Sequence, residues 1–177
     1  MKYDALSYVE PSTNAEAQPT RCDARWTATR VNDLGLPPAQ TLAALDFWIG
    51  RWSVRLRSGE PAGTNLVERV LDGYAVLEHW RSVTGDEGKS FFYYDLAAGR
   101  WKQVWAMHGF VKLKELVELD AGRLRFDGHV SVHEGRFPDR TTLTSLGDGT
   151  VSQLIEHSVD GGESWTVSFD AIYEPSD

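Results

Sequence analysis

The sequence predicts an all-β protein: a single closed antiparallel up-and-down β-barrel of about ten strands, with a short N-terminal helix ahead of the first strand. Three observations predict it. From Asp46 onward, turn signals recur about every eight to fifteen residues. Between them, apolar and polar residues alternate with the period of a strand that buries one face. Every connection is short, which suits hairpins and excludes parallel crossovers, since those need about a dozen residues. A meander of this size has to curl or close, because an open twisted sheet leaves exposed edges. A two-sheet sandwich with Greek-key crossovers is the alternative, and uniformly short loops argue against it.

Taken in order, residues 1–25 carry Pro11, Ser12, Thr13, Asn14 and Pro19 with few large apolar groups. Such a composition cannot offset ordering entropy, so a disordered or extended leader is expected there, with the barrel domain over 26–177. Removal of residues 1–24 is expected to leave the fold intact. Trp26 to Asn32 reads as an extended segment. Pro37-Pro38 then opens a stretch of good helix formers with Leu42 and Leu45 three apart, the pattern of a short helix.

Asp46 to Arg57, D-F-W-I-G-R-W-S-V-R-L-R, holds the first strand. Trp52, Val54 and Leu56 alternate with Ser53, Arg55 and Arg57, and Gly50 lets the backbone come close beneath the Trp52 ring. In the third segment Val76, Glu78, Trp80 and Ser82 share a face opposite Leu77, His79, Arg81 and Val83. The fourth, S-F-F-Y-Y-D, is apolar on both sides, so Tyr93 or Tyr94 faces inward in either register. The fifth sets Trp101, Gln103 and Trp105 on one face. In the sixth, Val111, Leu113 and Val117 oppose Lys112, Lys114 and Glu118, which reads as an ordinary half-buried edge with the apolar side in. The ninth sets Gln153, Ile155 and His157 together. The last sets Trp165, Val167, Phe169, Ala171 and Tyr173 against Asp170 and Ile172, and it is expected to pair with the first strand to close the barrel.

Composition narrows the function classes. A net charge of −8 speaks against nucleic acid and against anionic membrane. The single cysteine, Cys22, excludes an internal disulfide framework and fits a reducing, cytoplasmic setting. The start of the chain has no apolar h-region, and no run approaches the roughly 18 apolar residues of a membrane helix.

Two segments each place tryptophan and a polar group on one face: Trp80 with Glu78, and Trp105 with Gln103. A pure core prefers branched aliphatics, whereas a pocket is mostly apolar with a few placed polar groups. The other account stays open, in which Glu78 accepts a hydrogen bond from Trp105 or Gln103 inside a filled core. So does the opposite choice of faces, with His79 and Arg81 inside.

Metal chemistry is not expected. His129 and His133 share a strand face but stand about 13 Å apart, too far for one ion, and no H-x-H occurs. Neither G-x-x-x-x-G-K nor G-x-S-x-G is present. Cofactor-free acid–base chemistry remains, because a carboxylate buried against tryptophan shifts toward neutrality. Glu78 is the candidate catalytic residue. The candidate ligand-binding residues are Trp52, Trp80, Tyr93, Tyr94, Gln103, Trp105, Gln153, His157, Phe169 and Tyr173.

The Gly50-Arg51-Trp52 triplet at the mouth of the first strand resembles the G-x-W of the calycins, the lipocalin and fatty-acid-binding barrels. From Phe47 to Pro175 the chain resembles a bacterial lipocalin-like family. The motifs are F-W-I-G-R-W, L-E-H-W-R at Leu77 to Arg81, F-Y-Y-D-L-A-A-G-R-W-K-Q-V-W from Phe92 to Trp105, the D-G-G-E-S-W turn, and F-D-A-I-Y. Lipocalins proper often stack a last-strand arginine on the G-x-W tryptophan, and this last strand lacks it, which limits the resemblance to the broader superfamily. The resemblance implies a closed barrel around a pocket, with the helix closing one end. Nitrobindin-like barrels also resemble it, but their haem-ligating histidine lies in the closing-strand region, and Trp165 to Tyr173 holds none, so no haem or other cofactor is expected. Calycin barrels carry small apolar molecules, and some are cofactor-free enzymes that cyclise or isomerise them. Two functions are therefore expected as alternatives: binding of a small apolar or aromatic molecule, or proton-transfer catalysis at Glu78 on the same scaffold. A filled structural module, dimeric in this case, is the third.

Overall fold

The computed structural model describes residues 37–177. The expected leader, the Trp26–Asn32 segment and Cys22 lie outside the described residues. A single α-helical turn, α1 (Ala39–Leu42), runs into a 3-10 helix over Ala43–Trp48. Ten strands follow: β1 (Gly50–Leu56), β2 (Pro61–Val70), β3 (Ala75–Ser82), β4 (Glu87–Asp95) and β5 (Arg100–Met107). The second half comprises β6 (Phe110–Asp120), β7 (Arg123–Val132), β8 (Gly135–Ser145), β9 (Val151–His157) and β10 (Thr166–Pro175).

Each strand pairs antiparallel with its sequence neighbours, and β10 pairs with β1 to close the barrel. In that seam Val54 lies opposite Tyr173 and Leu56 opposite Ala171. The closed ladder leaves no free edge, the hazard an open meander would present.

The helical segment fills the end of the barrel at which β1 begins. Leu45 and Trp48 are fully buried. Trp48 meets Phe92 edge-on at 5.4 Å, and Phe92 meets Phe126 at 5.5 Å. Trp101 Nε1 donates to the Thr41 carbonyl at 2.8 Å and ties α1 to the wall. Trp52 Nε1 donates to the Trp48 carbonyl at 3.1 Å. Its ring lies against Gly50, where an added Cβ would stand 3.4 Å from Trp52 Cζ2 at a φ of +153°. The close approach read from the G-x-W triplet is what the geometry shows.

Two expectations about faces are corrected. On β6 the inward residues are Lys112 and Lys114, while Val111, Leu113 and Val117 stand 39, 47 and 49% exposed outside. On β10 a bulge between Val167 and Phe169 breaks the alternation. Phe169, Ala171 and Tyr173 face inward as expected, but Val167 is exposed, and Trp165 precedes the strand with Arg140 stacked 4.0 Å over its ring.

Candidate functional site

The barrel interior changes character along its axis. Next to the helix it is apolar. Further along comes a belt of buried polar side chains: Asn65, Glu78, Ser90, Gln103, Lys114, Thr141 and Gln153. Beyond the belt lie the rings of Trp80, Trp105, Phe110 and Phe169. These residues, except Asn65 and Ser90, surround a cavity of ≈ 230 Å³ that Tyr173, Lys112, Ile155 and Ser168 also line.

Strand alternation positions the aromatic wall. Trp80 lies two places beyond Glu78 on β3, and Trp105 two beyond Gln103 on β5, so each polar group has a tryptophan beside it on the cavity side. Glycines on neighbouring strands make room for both indoles. An added Cβ at Gly88 would run into Cζ2 of Trp105, and one at Gly63 would stand 2.9 Å from Cη2 of Trp80. Phe169 meets Trp80 edge-on at 5.8 Å.

The belt is hydrogen-bonded around Glu78. Asn65 Nδ2 donates to Glu78 Oε1 at 2.8 Å, and the Ser90 hydroxyl bonds the same carboxyl group. Gln103 Nε2 donates in turn to Ser90 Oγ at 2.9 Å. Gln103 Oε1 is buried without a hydrogen-bond partner among the described residues. Tyr173 OH donates to Gln153 Oε1 at 2.6 Å. Burial pushes the Glu78 carboxyl up to about 7, against the opposing pull of Ser90, Asn65 and the Lys114 charge. Tyr173 is driven well above the ordinary phenol range, first by burial and then by the Glu78 charge.

Across the belt stand two lysines. Lys114, with 1% of its side chain exposed, pairs with Asp139 Oδ1 and donates to Thr141 Oγ1. Lys112 Nζ reaches Asp139 Oδ2 at 2.9 Å. Burial pulls the Lys114 ammonium down to about 8, although the Asp139 charge opposes it.

The residues picked from sequence fall into two sets. Glu78, Trp80, Gln103, Trp105, Gln153, Phe169 and Tyr173 come together around the cavity. Trp52, Tyr94, Tyr93 and His157 do not. Trp52 belongs to the apolar core beneath it. Tyr94 packs at the helix end against Trp101 at 6.0 Å. Tyr93 is on the outer face, stacked on Phe91 at 6.0 Å. His157 follows Ile155 on the inward face of β9, opposite Thr166, outside the cavity wall. Sequence reading missed Lys112, Lys114, Asp139, Asn65, Ser90 and Thr141. The one signal was the pair of lysines at i and i+2 among strand residues, which alternation alone assigned to solvent.

The arrangement can hold a molecule with an aromatic body, offer it a carboxyl group that exchanges a proton near neutrality, and present it with ammonium groups. Among the described residues, no group of three or more His, Cys, Asp or Glu is placed to hold a metal ion. No described helix is long and apolar enough to cross a membrane. The chain matches no family model and no curated protein. The fold and the site define the class: a closed ten-stranded antiparallel barrel, consistent with a calycin-like architecture, with a cavity in its interior.

Proposed function

We propose that the barrel binds one small apolar or aromatic molecule in its interior, as a lipocalin-like protein of the calycin superfamily acting in the cytoplasm. One observation carries this reading: a cavity of ≈ 230 Å³ walled by Trp80, Trp105, Phe110 and Phe169 and floored by polar side chains. An apolar cavity of about 150 Å³ already admits benzene, so this one has space for a second fused ring. The polar floor would fix the ligand's orientation, with Gln103 Oε1 free to accept a hydrogen bond from it. Naphthalene-2-carboxamide titrated into the protein should quench tryptophan fluorescence saturably, with a Kd on the order of micromolar, about −8 kcal/mol. Trp105→Ala should abolish most of that quench. A linear, non-saturating response sinks the reading.

A second reading has its own observation, the Glu78 carboxyl held near 7 on the cavity wall. A group titrating there suits general acid–base catalysis of a cyclisation or isomerisation without cofactor. Glu78→Gln separates the two. A carrier keeps its affinity within a few-fold, whereas an enzyme still binds but stops turning over.

A further inference from the structure

Where the polar belt meets the aromatic wall, the cavity carries more positive than negative charge. Lys112 and Lys114 project from the same face of β6, and one carboxylate, Asp139 of β8, serves both. Among the described residues neither lysine has a second ion-pair partner. Glu78 offsets the excess only in part: its carboxyl is held by Asn65 and Ser90, and burial keeps its proton up to about 7. It acts on Lys114 through Coulomb attraction, without an ion-pair contact among the described residues. Lys112 and Lys114 both line the cavity, whereas Asp139 does not. A ligand therefore meets the ammonium groups and not the carboxylate behind them.

We infer that the molecule bound here is an aromatic or apolar acid, whose single anionic group (a carboxylate, phenolate or enolate) sits against Lys112 and Lys114 while its ring lies along Trp80 and Trp105. This deepens the binding reading above and rests on it. The physical reason is the cost of burying a positive charge with half a partner. Lys114 is almost fully enclosed, and its ammonium is held below the ordinary lysine range in spite of Asp139. An entering anion supplies the missing charge in a medium where Coulomb attraction exceeds that in water. A neutral molecule of the same shape gains only the aromatic contacts. The Lys112–Asp139–Lys114 cluster could instead be a purely structural tie between β6 and β8, and the two accounts predict different selectivity.

The test compares two probes of nearly equal shape, naphthalene-2-carboxylate and naphthalene-2-carboxamide, titrated into the full chain by tryptophan fluorescence at neutral pH. The carboxylate should bind at least about ten-fold tighter than the amide. Lys112→Met keeps the aliphatic stem and should remove about ten-fold of carboxylate affinity, with amide affinity held within about two-fold. Asp139→Asn removes the competing carboxylate and should move affinity the other way, strengthening the acid and leaving the amide alone. Equal binding of the two probes to the unaltered protein overturns the inference and leaves the binding function standing. Saturable binding of neither probe overturns both. The wild-type comparison decides the matter even if Asp139→Asn fails to fold.

Discussion

Glu78 shows how one buried carboxyl group ties stability to pH. Its proton is held to about 7 in the folded chain, against 4.5 for the ordinary side chain. Between those values the unfolded chain has lost the proton and the folded chain keeps it, so unfolding releases a proton and rising pH favours unfolding. The stability is fully present below about 4.5, falls through the window up to about 7, and is level above it. The difference corresponds to about 3 kcal/mol. Denaturant titrations from pH 4.5 to 8 should show this fall in the wild type relative to Glu78→Gln, which lacks the titrating group. Parallel profiles for the two proteins would mean that the carboxyl is not desolvated. Gly88 makes a steric point at the same scale. A methyl group there meets the Trp105 indole, so Gly88→Ala should cost about 1–3 kcal/mol and weaken aromatic binding. Gly88→Ala combined with Trp105→Phe should recover much of that stability, a coupling read from the double-mutant cycle.

Among the elements, β6 and the N-terminal helical segment depend most on what surrounds them. β6 turns its lysines inward and its valines and leucines outward because the inside at that level is a polar belt, with Asp139 and Thr141 of β8 just beyond β7 to receive the ammonium groups. The aliphatic stems of the lysines line the cavity while their ammonium groups find oxygen. The helical segment is too short to be stable alone and persists because Leu45 and Trp48 are buried in the end of the barrel. Trp48→Ala removes a fully buried indole that packs on Phe92 and Tyr173, and a loss of about 3–5 kcal/mol is expected by denaturant unfolding. Trp101→Phe removes the hydrogen bond to Thr41 but keeps a buried aromatic ring of smaller size, and a smaller loss, about 1–2 kcal/mol, should go with it. An equal loss in the two variants would mean that the indole packing at this end contributes no more than the tether.

The whole molecule is a ring of strands in which nine pairings are local and one is not. β10 must find β1 across the entire chain, and without it β1 and β9 are left with open edges. Closure of this kind is slow, because loop entropy is spent before the contact forms. A chain ending at Trp165 should therefore lose near-ultraviolet aromatic dichroism and cooperative unfolding, since Phe169, Ala171 and Tyr173 leave the interior together. Retention of both would show that the first nine strands fold without closure.

Turns and alternation are local chemistry, and they are legible without coordinates. Glycine-bearing turns, period-2 segments and short connections pointed to the ten strands, their closed order and the pairing of Trp80 with Glu78 and Trp105 with Gln103, while Pro37-Pro38 and the Leu42–Leu45 spacing pointed to the helix before β1. Alternation, however, defines two faces without saying which is inside. For β3 and β5 tryptophan favoured one face, and the closed barrel decided it by bringing Trp80 and Trp105 to one cavity. For β6 the apolar face looked like the core, and only the fold could reverse it, because Lys112 lies 27 residues from the Asp139 it meets. The bulge in β10 was equally hidden, since a single extra residue leaves no compositional trace and shifts Val167 outward. A buried lysine is costly alone and tolerable beside an acid, and that partnership is a property of the closed barrel, not of any segment.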